Sequence, residues 1–141
     1  MSGAQLVAWA GSDDVESLVW VLATPRSWAR MSSRYFAPDD PFDVADVVAV
    51  AEGVAAEIFG APWPVVARLS AGAAAAWHVF EGWCLTGCGG FDPLADGVSA
   101  ARIVGALVAL HDAGHKDDQE RALGRAKLRA PLDRSPKAVS D

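Results

Sequence analysis

Trp77, Phe80 and Trp83 recur at steps of three inside W-H-V-F-E-G-W-C-L-T-G-C-G-G-F-D-P, residues Trp77 to Pro93. Steps of three and four bring side chains to one face of a helix. The Gly-rich break and the Phe-Asp-Pro turn that follow end such a helix sharply and hand the chain to another. The run dictates a packed helix and carries no catalytic signature.

The same period recurs along the chain. Val15, Leu18, Val19 and Leu22 predict a first helix. Asp13 with Glu16 resembles its N-terminal cap, and Thr24-Pro25 stops it. Residues 25–41 are rich in Pro, Arg, Ser and Asp and read as a loop, with room for one turn of helix around Trp28. Asp43 caps a second helix, in which Val44, Val47, Val48, Ala51, Val54, Ala55 and Ile58 form an apolar stripe. Gly60 suits a left-handed terminus, and Pro62 follows it.

A third helix starts near Pro62 to Pro64, because Pro is tolerated in a first turn, and runs to about Thr86. Val66, Leu69, Ala73, Ala76, Trp77, Phe80 and Cys84 fill its buried face, and Gly87 reads as its stop. Ala73 to Ala76 are small enough for another helix to approach closely. Ser99 caps a fourth helix, with Ile103, Val104, Leu107, Leu110 and His111 on one face and Gly114 at its end. Asp117 opens a fifth that has little to bury beyond Leu123 and Leu128, so weak docking or fraying is expected of it. Strand alternation is absent. The pattern predicts an all-α fold, a small bundle of four to five helices forming a single domain over residues 1–130, with 131–141 as a disordered tail.

Composition narrows the partners. With 52% of 141 residues apolar, one domain can bury a real core. The net charge of −6 is uneven. Residues 1–114 hold five Arg, no Lys and thirteen acids, whereas residues 115–141 hold seven Lys or Arg against five acids. An acidic body argues against nucleic acid, whose phosphates need clustered cations. The longest apolar runs, such as Ile103 to Leu110, are too short to span a bilayer. Two Cys make no disulfide framework, and the N-terminus lacks the pattern of a signal peptide. The chain therefore reads as cytoplasmic, with reduced thiols.

The sharpest chemical pattern is a metal set. Cys84 and Cys88 are four apart, and His111 and His115 are four apart, the pairs separated by 22 residues. Zn(II) accepts two thiolates and two imidazoles in a tetrahedron. Against this, Gly87 and Gly114 interrupt both helical spacings, and the gap exceeds that of a zinc finger. The plain alternative is a buried Cys84, a turn Cys88 and two helix-end histidines. Apart from that Zn set, no cofactor is expected. A hydrolase needs a base beside its nucleophile. His78 with Glu81 and His111 with Asp112 are unspecific pairs, and Ser70 sits about 12 Å along a helix from His78. Adjacent acids such as Asp13/Asp14 and Asp117/Asp118 suit caps and turns. Gly89-Gly90 lacks the Lys and Ser/Thr of a phosphate loop. The chain reads as non-enzymatic.

Six Trp remain to be placed. Trp63, Trp77, Phe80 and Trp83 are most simply core. The functional alternative is that they line an apolar groove for a partner helix, since large exposed apolar patches mark interaction sites.

The run A-P-W-P-V-V-A-R-L, then A-A-A-W-H-V-F-E-G-W-C-L-T-G, then F-D-P-L, resembles tail assembly chaperones of phages that infect actinobacteria. The similarity covers about residues 58–112 and consists of a Trp-Pro helix start, an aromatic-Gly-Trp helix end and an Asp-Pro turn. The resemblance implies a non-enzymatic role in the host cell cytoplasm. Such proteins bind the amphipathic helices of a long tape-measure protein, keep it soluble, and help tail-tube subunits polymerise around it. A longer frameshifted product often accompanies the short one. A second copy of the chain, as a homo-oligomer, is compatible with that role, and no membrane is needed. The C-x3-C pair has no place in it. A structural or connector subunit of a virion, built on the same helices, is the rival reading.

Overall fold

The computed structural model describes residues 2–14, 44–87 and 90–133, together with the single positions 26 and 29. Among these residues there is no strand, and the fold is an all-α bundle. Its helices are α1 (Gly3–Ala10), α2 (Val44–Phe59), α3 (Trp63–Ala75), α4 (Trp77–Thr86), α5 (Ala100–Ala113) and α6 (Asp118–Arg129). Six helices are delimited among the described residues, and positions 26 and 29 are helical besides, against an expectation of four to five. The expected helix over Val15 to Leu22, the loop over 25–41 and the Asp43 cap lie outside the described residues, apart from positions 26 and 29.

Two differences raise the count. Helix α1 was not foreseen. Ser2 and Gln5 form a capping box at its start: Ser2 Oγ accepts from the Gln5 amide at 3.2 Å, and Ser2 N donates to Gln5 Oε1 at 2.7 Å. Val7 and Ala10 then point into the core. The expected single helix over 62–86 is also broken at Ala76, whose φ of −144° and ψ of 51° are not helical. Ala76 N donates to Ala73 O at 3.2 Å, closing α3 with a tight turn before α4 begins.

The other boundaries follow local chemistry. Gly60 takes φ +71° after α2, where an L side chain is strained. Pro64 occupies the first turn of α3, where no intrahelical N–H is needed. Ser99 Oγ accepts from Arg102 N at 3.2 Å, and Asp117 Oδ1 accepts from Glu120 N at 2.8 Å, capping α5 and α6.

Helix α3 is the centre of the bundle, with α1, α2, α4, α5 and α6 all against it. The core is formed by Val7 of α1, Ala51, Ala55 and Phe59 of α2, Trp63 and Val66 of α3, Phe80 and Cys84 of α4, and Ile103, Val104 and Leu107 of α5. Burying one such large side chain contributes about 1.5–3 kcal/mol. On α2 the buried line is Val47, Ala51, Ala55 and Phe59, while Val54, expected on the stripe, is 37% exposed at its edge. Gly3 and Gly11 let α1 lie close to its neighbours. A Cβ on Gly3 would stand 2.4 Å from the Val98 carbonyl oxygen, and one on Gly11 would stand 3.2 Å from the Ala71 backbone.

Helix α6 has no buried residue, yet it is tied down. Chain order also persists past it: Leu132, placed by sequence in a disordered tail, packs partly buried against the core. Residues 134–141 lie outside the described part. No helix among the described residues is long and apolar enough to cross a membrane.

Candidate functional site

The break at Ala76 shapes a surface cleft. Helix α3 ends and α4 begins there, and Gly72, Ala73 and Ala76 line the hollow with little side chain to fill it. The hollow, about 250 Å³, is floored by Leu69, Phe80, Leu107 and Leu110, with Val79 at its rim. Val79 is 58% exposed, a large apolar side chain left in water at the edge of an apolar hollow. Gly72 has nothing within 4 Å of where a Cβ would stand, so its position opens directly into free space. The volume lies below the roughly 300–1,000 Å³ of a small-molecule pocket. It suits a few side chains of a docked helix.

Phe80 is 2% exposed and is held edge-on by Trp77, with ring centroids 5.3 Å apart. Trp77 is fixed in turn, its Nε1 donating to Glu81 Oε2 at 3.0 Å. The i, i+4 spacing of Trp77 and Glu81 on α4 makes that bond local.

Arg68 and His111 form the polar end of the cleft and begin a second hollow, under α6, lined also by His115, Leu123, Lys127 and Leu128. The His111 and His115 rings lie 4.6 Å apart, and His115 Nδ1 is 2.7 Å from the His111 carbonyl oxygen. They rest on Gly124 of α6, where a Cβ would stand 2.6 Å from His115 Nε2. His111 Nδ1 is buried with no hydrogen-bond partner, its distance of 3.6 Å to Asp112 Oδ1 being ion-pair reach only. Asp112 pairs instead with Arg125 of α6, through Nε at 3.1 Å and Nη2 at 2.5 Å. The hydrogen bond from Arg125, then its charge, holds the Asp112 carboxyl below its ordinary pKa, outweighing the opposing effect of burial.

The structure sorts the candidates read from sequence. Of the four aromatics, Phe80 lines the cleft and Trp77 supports it from behind. Trp63 is 1% exposed and belongs to the core, between Trp9 and Phe59 at 5.9 and 6.0 Å. Trp83 is partly buried against the core and does not line the cleft. Of the metal set, His111 and His115 come together, Cys84 is wholly buried in the core, and Cys88 lies outside the described residues. Among the described residues no three His, Cys, Asp or Glu are grouped to hold a metal ion. Sequence reasoning missed Arg68, Gly72 and Val79. The small-residue stretch beside Gly72 was the available signal, whereas the reach of Arg68 to α6 has no local one.

No protein-family model, curated protein or solved structure matches this chain.

Proposed function

We propose that this protein is a non-enzymatic helical adaptor or chaperone whose apolar cleft receives an amphipathic helix of a protein partner. The observation that carries the reading is the cleft at the Ala76 break, floored by Leu69 and Phe80 and rimmed by the exposed Val79. Helix-in-groove recognition places apolar anchors at i, i+3, i+4 and i+7 into such a surface. The small side chains of Gly72, Ala73 and Ala76 let the partner backbone come close. The acidic body keeps a complex with an apolar client in solution.

The resemblance over residues 58–112 gives this adaptor a setting in phage tail assembly, with a tape-measure protein as client and tail-tube subunits as second partners. The coding DNA through and beyond codon 141 tests that setting. A slippery heptanucleotide with an overlapping frame, then a very long helical reading frame, would support it. A clean stop beside unrelated genes would remove it and leave the cleft to be tested by binding alone.

A further inference from the structure

Helix α6 is held by polar ties to backbone and charge rather than by burial. None of its residues is buried, and Leu123, its most apolar outward position, is 60% exposed. Arg68 of α3 reaches its C-terminus, where the carbonyls of Lys127, Leu128 and Ala130, at 2.8, 2.8 and 2.6 Å, share the two hydrogens of Nη1, and Nη2 donates to the carbonyl of Pro131 at 3.3 Å. These carbonyls need an outside donor. The last turn of any helix leaves its carbonyls unpaired, and Pro131 has no N–H to give Lys127. The Asp112–Arg125 pair, the seat of His115 on Gly124 and, past the helix end, Leu132 packed partly buried against the core are further ties.

We propose that α6 is a detachable strap, latched by Arg68, that covers one end of the docking cleft and leaves as a unit when a longer helix binds. Arg68 and His111 line both the open cleft and the hollow under α6, so the two adjoin across these side chains. Beyond them, Val65 and Val108 lie beneath Leu128 and Arg129. With α6 away, the apolar floor runs on along α3 from Leu69 to Val65, and along α5 to Val108. A twelve-residue helix is marginal in water by itself, so α6 once released unfolds and leaves the hollow free. Its occupancy is an autoinhibitory contact, and Arg68 sets how often it opens. The strap deepens the docking reading of the cleft and rests on it for its purpose, though its opening is measured without any partner.

The experiment is native-state hydrogen exchange of the full chain, with Arg68→Ala and Asp112→Asn as two independent variants. Amides of α6 are expected to exchange in a separate, lower-energy opening than those of α3 and α5. Arg68→Ala is expected to speed exchange in α6 by about tenfold or more while α3 and α5 keep their protection. Asp112→Asn acts the same way from the other tie. Binding of anilinonaphthalene sulfonate is expected to rise in Arg68→Ala as Val65 and Val108 are uncovered. Exchange of α6 together with α3 and α5 in one global step, in wild type and both variants, would overturn the strap. Selective opening of α6 with no rise in dye binding would overturn its role as a cover. Dye binding absent even from the open cleft of the wild type would count against the docking reading, and leave the exchange result on α6 standing.

Discussion

Trp63 Nε1 donates to Asp13 Oδ1 at 2.7 Å, joining residues fifty positions apart. Trp63 is 1% exposed, so the bond satisfies an indole N–H that water cannot reach. Asp13 holds φ +55°, a left-handed conformation that Asp and Asn tolerate better than other residues with a Cβ. The bond therefore fixes both the turn after α1 and the largest ring of the core. Asp13→Ala is expected to lower stability by about 1–3 kcal/mol, the cost of a buried donor left unmade. Asp13→Asn keeps an acceptor and the backbone preference, and is expected to lose less. Urea denaturation of the two variants checks the order.

Gly3→Ala is a steric test of how α1 docks. The added Cβ would meet the Val98 carbonyl oxygen at 2.4 Å and Ala100 N at 2.8 Å, both backbone atoms. Ala is otherwise the better helix former by about 1 kcal/mol. Overpacking costs about 1–3 kcal/mol and is expected to win, so the variant melts lower than wild type. A higher melting temperature would show that α1 does not approach α5 this closely.

Ser70 is 1% exposed on α3, and its Oγ has no hydrogen-bond partner. A buried hydroxyl without a partner costs free energy that an apolar replacement of similar shape does not. Ser70→Ala is expected to be neutral or to stabilise by up to about 1 kcal/mol. A loss of stability on that scale in thermal melts would mean that the hydroxyl is paired.

The tie between Asp112 and Arg125 has a pH signature. The Asp112 carboxyl is held below its ordinary value, first by the hydrogen bond from Arg125. Folding therefore favours the ionised form. The contribution is complete above the unfolded pKa of about 3.9 and is lost as pH falls through the lower folded value. Arg125 is half exposed, so salt weakens the effect. In acid titrations of stability, Asp112→Asn is expected to lie below wild type near neutral pH and to converge with it below about pH 4. Parallel curves down to the most acidic point would contradict the pairing.

The class of fold was legible because helical periodicity and caps are local. Ser99, Asp117 and Gly60 all do what their residue types suggest. The capping box of Ser2 and Gln5 was equally local, but so short a helix with two apolar positions facing inward gives little period to read. The break at Ala76 was not legible, since Ala is the best of helix formers and its residue type does not announce a non-helical conformation. The aromatic spacing placed Phe80 on the buried face of its helix, where the structure also has it lining the cleft. Trp63 stood with these rings as a candidate by residue type, and it takes the plainer of its two readings, a ring of the core. The latch of Arg68 joins segments about sixty positions apart, and no local pattern encodes it.

The cleft itself is tested most directly at Gly72. An added Cβ there meets nothing within 4 Å, so Gly72→Leu starts a side chain from open space at the cleft and removes a helix-interior glycine. Titration of wild type and Gly72→Leu with a charge-neutral amphipathic helical peptide of Leu, Glu and Lys, followed by tryptophan fluorescence and paired with thermal melts, separates docking from folding. Saturable binding by wild type is expected, with at least about tenfold weaker binding by a Gly72→Leu variant that is as stable or more stable. Equal binding by both proteins, or none by the wild type, would contradict a docking site in this cleft.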